Sequence, residues 1–192
     1  MTEGKIYHGY VLKFNKKLMI LCPLQNYGQK DGKDWGQIRP PINQKFGQNP
    51  QTYAQFGMKG HNGIDLKADQ GTLLFTPFEG TVEVKDDADK GYVLHIIVRK
   101  KMSDGDRKGE TLECVLGHLS KVDVKTGDYV YLGQKIGLTG NTGFSTGPHL
   151  HLGLRYLDTH GTVKDYDNGF KGYFDCVDLI ITWKGGLTNS NL

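Results

Sequence analysis

Five residues of this chain have side chains and spacing suited to a hydrolytic metal site: His61, Asp65, His118, His149 and His151. His61 and Asp65 stand four apart around a glycine in "GHNGIDLKADQGT" (60–72), and His149 and His151 stand two apart in "STGPHLHLGLR" (145–155). His118 sits in "LGHLS" (116–120). Neutral imidazole and carboxylate both ligate Zn2+ at roughly 2.0–2.2 Å, and a catalytic zinc commonly keeps three protein ligands and a fourth position for water. Two His and one Asp drawn from this set meet that count, and two His are then left for proton transfer and charge stabilisation. Each short pattern alone is more often structural than ligating. The inference rests on their conjunction, with all four histidines beside glycines or at strand ends.

The elements that must position these residues read as strands. Side chains two apart in a strand share a face, so His149 and His151 project together while Leu150 and Leu152 anchor the opposite face. "GTVEVKD" (80–86) alternates, "YVLHIIVRK" (92–100) is apolar on both faces, and "TLECVLGHLS" (111–120) places Leu112, Cys114, Leu116 and His118 on one face. No stretch longer than about one turn carries a helical apolar stripe. The expected fold class is all-β or β-rich. Glycine supports this, with 27 residues falling mostly between short apolar runs. Gly63 is expected to let the chain turn between His61 and Asp65. Gly140, Gly143 and Gly147 are expected to supply positive φ and close backbone approach before the HxH strand.

At 192 residues the chain suits one domain with added segments. Residues 1–41 read as an N-terminal arm, with "KIYHGYVLKF" and "KLMILCPL" as a possible hairpin and Pro40–Pro41 closing a polar connection. The main domain is expected over 42–158, and 159–192 as an extension packed on it or docking a partner. The net charge of +3 suits an anionic polymer such as cell wall, and no aromatic-and-basic pattern favours nucleic acid. Cys22, Cys114 and Cys176 form no CxxC pair and read as small buried hydrophobes. "KKLMILCPL" (16–24) is no secretory signal and is too short to span a bilayer. Synthesis in a bacterial cytoplasm is therefore expected, with action at the cell wall or carriage in a phage virion. His8 and His160 read as exposed, His95 as a core or groove-back histidine, Asp69 and Glu79 as surface charges, and loop 101–110 as a solvated hairpin.

"GHNGIDLKADQGT", "GHLS" and "GDYVYLGQKIGLTGNTGFSTGPHLHLGL" resemble the three signature segments of the M23 zinc metallopeptidases, the lysostaphin and LytM type. The resemblance covers roughly residues 55 to 155. It implies a compact antiparallel β domain of the lysostaphin-like (duplicated hybrid motif) type with a substrate groove. By the same resemblance one zinc would be held by His61, Asp65 and His151, with His118 and His149 catalytic. No HExxH glutamate is present, so the base would be one of these two histidines. The implied substrate is a cross-linking peptide of peptidoglycan. Two departures stand out: Leu116 replaces an aromatic common in the family, bearing on a groove contact, and the chain after Leu157 does not match.

The leading reading is a zinc endopeptidase acting on peptidoglycan as a phage virion-associated lysin or endolysin, with virion or tail proteins as partners of the terminal segments. The alternative is a non-catalytic structural or regulatory virion protein that keeps the M23 fold. A carbohydrate-binding or biotinyl-like β module explains the glycines but not the histidines.

Overall fold

A computed structural model describes residues 18–24, 40–87 and 93–181. The first arm of the expected N-terminal hairpin, with His8, lies outside the described residues, as does 182–192. The strands are β1 (Ile20–Leu21), β2 (Ile42–Gln44), β3 (Ile64–Lys67), β4 (Leu73–Phe75), β5 (Gly80–Asp87), β6 (Val93–Lys101) and β7 (Thr111–Gly117). Then follow β8 (Leu119–Val122), β9 (Tyr129–Val130), β10 (Lys135–Thr139), β11 (His149–Leu157), β12 (Tyr173–Phe174) and β13 (Ile180–Ile181). One short helix, α1 (Pro50–Tyr53), precedes β3. The fold is β-rich, as the alternating patterns imply, and mostly antiparallel, as the family resemblance implies.

The main sheet runs β2-β3-β11-β7-β6-β5-β9, with β12 added to β11. Its central strands carry apolar residues at alternate positions: Leu112, Cys114 and Leu116 on β7, Leu150, Leu152 and Leu154 on β11, Ile96 and Val98 on β6. These join Leu74, Leu119 and Ile136 of the second sheet, β4-β10-β8, in one buried cluster. Each such side chain fully buried contributes roughly 1.5–3 kcal/mol. That anchorage on one face is what lets the other face of the main sheet carry polar groups at fixed positions.

Residues on both sides of the expected main domain join this body. Ile20, Leu21, Cys22 and Leu24 are buried, and β1 pairs in parallel with β13. After Leu157 the chain returns through β12, where Tyr173 stands opposite Arg155, and buries Cys176. All three cysteines are buried, and none forms a disulfide among the described residues. Residues 102–110 form the connection between β6 and β7, closed by the Met102 N–H donating to the Glu110 carbonyl at 2.8 Å. Among the described residues no helix is long and apolar enough to cross a membrane.

Candidate metal centre and groove

β11 lies between β3 and β7, and this placement assembles the site. His151 is opposite Asp65 on one side and Gly117 on the other, while His149 is opposite Lys67. Leu150 and Leu152 are fully buried beneath, so the two histidines face the open side of the sheet together. His61 lies just before β3 in a segment fixed by its backbone: its N–H donates to Gln48 and its carbonyl accepts from Gly47. Gly63 serves close packing rather than the turn expected of it. A Cβ there would lie 2.5 Å from the Leu152 carbonyl oxygen and 2.7 Å from the His151 ring, and its φ is not positive. Gly143 has the expected positive φ, Gly140 gives close approach to Ser120 and His118, and Gly147 does neither.

The donor atoms of His61, Asp65 and His151 form a small buried triangle. His61 Nε2 is 2.9 Å from His151 Nδ1, and Asp65 Oδ1 is 3.2 Å from each. His61 Nδ1–H donates to the Lys45 carbonyl at 3.3 Å, so the neutral ring presents a lone pair at Nε2. A carboxylate and two imidazole nitrogens thus converge, and neutral rings offer at most one proton between the three. A tetrahedral ion roughly 2.0–2.1 Å from its ligands needs donor–donor edges of roughly 3.3–3.4 Å. The triangle is near that size and its three ligand atoms already converge, so the residues fit a zinc-like divalent ion once the shared proton is displaced. Burial alone would raise the Asp65 pKa, but its contacts with His151 and His61 together outweigh it and hold the carboxyl well below the usual range. Burial pushes His151 down to about 3, which keeps it neutral and competent as a ligand.

His118 and His149 stand beside this triangle. Their ring centroids are 4.6 Å apart, and that of His118 is 6.0 Å from that of His151. His118 Nδ1–H donates to the Thr142 carbonyl at 2.6 Å, and His149 Nδ1–H to the Gly147 carbonyl at 2.7 Å. Both rings are therefore held at Nδ1 by backbone carbonyls, and His149 Nε2 is 3.6 Å from Asp65 Oδ1. Burial lowers the His118 pKa to about 4, so the ring is a neutral proton acceptor at pH 7. Strict alternation would send His118 into the core with Leu112, Cys114 and Leu116. Its backbone instead takes φ 64 between β7 and β8, and this left-handed residue turns the imidazole to the open face. Such a conformation costs a non-glycine residue about 1–2 kcal/mol.

The site opens into a groove of about 610 Å³ along the sheet face. Ile97 and Val115 are in its floor, and His95 is buried at its back. Phe56 and Phe144 meet edge to face at 5.2 Å on its rim, and the ring of Tyr53 lies 5.2 Å from that of His61. Leu116 makes no groove contact; it is fully buried in the core. Several lining residues were not singled out in the sequence: Arg155, and Tyr166, Lys171 and Tyr173 from the region read as an extension. Arg155 had a readable signal, since it shares the face of His149 and His151 on the same strand. The other three come from short turns and the two-residue strand β12, too brief for any periodicity to be read. Ser145 Oγ, 3.2 Å from His149 Nδ1, also went unmarked. His160 and Asp69 are exposed as expected, whereas Glu79 is partly buried and pairs with Lys100 at 2.7 Å.

Residues 59–165 match the sequence model of Peptidase family M23. The chain belongs to that family. An uncharacterized metalloprotease of Haemophilus influenzae is 39% identical over 94 residues, 49% of this M23 chain and 18% of the relative. Peptidoglycan DD-endopeptidase ShyA of Vibrio cholerae is also 39% identical over 94 residues, 49% of this chain and 20% of its own. The chain thus spans about a fifth of the length of these curated relatives. Among solved structures, the antimicrobial peptidase lysostaphin from Staphylococcus simulans aligns with TM-score 0.53 and 26% identity, covering 73% of this M23 chain and 48% of that one.

Proposed function

We propose that this chain is a zinc-dependent endopeptidase that hydrolyses peptide cross-links of bacterial peptidoglycan. The observation that carries the reading is the buried triangle of His61 Nε2, Asp65 Oδ1 and His151 Nδ1 at the foot of an open groove, with two further imidazoles beside it. Family membership and the DD-endopeptidase relative support the substrate class. His61, Asp65 and His151 would hold the ion, which when bound supplies Lewis-acid polarisation of a carbonyl and activation of water.

The chain's own groups do the rest. His118 is neutral at pH 7 and takes up the water's proton at Nε2, while Nδ1–H stays tied to Thr142. His149, with Nδ1–H held by Gly147, steadies the negative oxygen of the tetrahedral intermediate when its Nε2 carries a proton. The apolar floor at Ile97 and Val115 and the aromatic rim hold an extended peptide over the triangle. Action at the cell wall, a phage-lysin setting and virion partners belong to the same proposal, on the unfamiliar sequences flanking the motif alone.

The test pairs zinc analysis of the purified chain with a turbidity assay on isolated peptidoglycan. About one zinc per chain and lysis stopped by a chelator are expected. A zinc-loaded chain that releases no new peptide termini from any peptidoglycan tested would remove the enzymatic reading and leave the non-catalytic one.

A further inference from the structure

The groove is charged asymmetrically. Its described lining includes the cations Lys85, Arg155 and Lys171, and its one carboxylate, Asp65, belongs to the metal triangle. The neighbouring ion pairs leave positive charge over. Glu113 serves both Arg99 and Arg155, and Glu83 serves both Arg99 and Lys85, so three cations share two carboxylates. Lys171 adds a further positive charge and has no ion-pair partner among the described residues.

Two of these cations are built to present donors. Arg155 spends Nε and Nη2 on Glu113 Oε1, at 2.6 and 2.5 Å, and its guanidinium lies 4.8 Å over the Tyr173 ring. That clamp fixes the group while Nη1 forms no hydrogen bond among the described residues. Lys171 precedes Tyr173 by two residues, so β12 brings it to the same end of the groove. Its backbone is left-handed, with φ 54, a conformation a lysine adopts only where the surrounding fold imposes it.

We propose that Arg155 and Lys171 form an anion-binding subsite that binds a free carboxylate of the peptide substrate and selects it over a neutral oligoglycine. Arg155 lies four residues from His151 along β11, roughly 13 Å of strand. Allowing for the reach of the side chains, the carboxylate sits about two to four extended residues from the scissile bond. Cross-linked stem peptides of peptidoglycan carry such carboxylates; a glycine bridge carries none. The inference rests on the peptidase reading above and names the substrate that reading leaves open.

The test is equilibrium binding of a fluorescently labelled, cross-linked peptide dimer to the full chain, with a chelator present so that no bond is cut. The dimer is used as the free acid and with its carboxylates converted to amides. The free acid is expected to bind about ten-fold more tightly, as one charge-assisted contact would give, and the preference to shrink as salt is raised. Lys171→Met reduces the preference several-fold and Lys171→Glu reverses it, whereas Lys108→Met, an exposed cation in the β6–β7 connection, retains it. Equal affinity for the two forms, no saturable binding of either, or full preference in Lys171→Met overturns the subsite. Cleavage of the same dimers by the zinc-loaded chain is read separately. Preferential binding without cleavage keeps the subsite and removes the peptidase, while equal binding with cleavage does the reverse.

Discussion

His151 stands directly across the β3–β11 ladder from Asp65, with His151 Nδ1 and Asp65 Oδ1 3.2 Å apart on the open face of the sheet. The pair is fixed by strand register, and Leu150 and Leu152 lock that register from below. A site positioned this way exists before the ion arrives, so metal binding should stabilise the fold. Added zinc is expected to raise the melting temperature, by about 4 kcal/mol of linkage at a thousand-fold excess over its dissociation constant. His151→Ala should lose both the bound zinc and the shift while still folding. Metal analysis with scanning calorimetry reads both, and an unshifted wild-type melt would count against a preformed site.

His118 differs in kind, because it lies beside the triangle rather than in it. His118→Ala is expected to keep zinc and lose turnover by about 10²–10⁴-fold, the usual contribution of a positioned acid or base. Its left-handed backbone makes a second, independent prediction. Glycine adopts that conformation without a Cβ penalty, so His118→Gly should unfold at higher temperature than His118→Ala, by about 1 kcal/mol. Equal melting of the two variants would mean that the strain relaxes when the imidazole is removed.

This residue also marks the limit of what the sequence discloses. The strands around β6, β7 and β11 were legible because alternation is local and the glycines punctuate it. The five candidate residues were legible because they fall in short contiguous segments. The direction of His118 was not, since one left-handed residue reverses a pattern that period-2 reasoning carries straight through. Lys171 and Tyr173 reach the groove only because β12 pairs with β11, and no local signal in "GFKGYFDC" encodes that return. Leu116 was legible by plain alternation, which put it with Leu112 and Cys114 on the core face where it is fully buried.

Gly63 shows how little room the triangle leaves. Gly63→Ala would place a methyl 2.5 Å from the Leu152 carbonyl oxygen and against the His151 ring. Backbone oxygen cannot move aside cheaply, so β3 must shift away from β11. The variant is expected to lose about 1–3 kcal/mol of stability and to bind zinc more weakly than wild type. Wild-type zinc affinity in Gly63→Ala would show that the ring can swing without losing the ion.

Removal of metal should expose a dependence on pH. Burial depresses the folded-state pKa of His118 to about 4 and of His151 to about 3, against about 6.5 in the unfolded chain. Between those values the unfolded chain binds more protons than the folded one, so stability rises with pH across the window and is lost on acidification. Asp65, also held below its ordinary value, acts in the same direction at the acid end. The chelated chain should therefore melt at progressively lower temperature from about pH 6.5 down to pH 4. A flat profile over that range would mean that neither imidazole is kept neutral by burial.

The Arg99–Glu113–Arg155 row supports the groove from within. The three residues are register partners across β6, β7 and β11, and Glu113 is fully buried. One Glu113 oxygen accepts from Arg155 at 2.6 Å, the other from Arg99 at 2.7 Å. Glu113→Gln keeps the shape but removes the charge that both guanidiniums share, leaving two partly buried cations side by side. Breaking a buried pair in this way costs about 3–5 kcal/mol. For a domain of this size, the low end of that range corresponds to a melting temperature lower by roughly 6–12 °C. The loss should be larger than that of Lys171→Met, since Lys171 has no ion-pair partner among the described residues to abandon. If Glu113→Gln melts with wild type, the row contributes no net stability, and Arg155 is held in place by its stacking on Tyr173 instead.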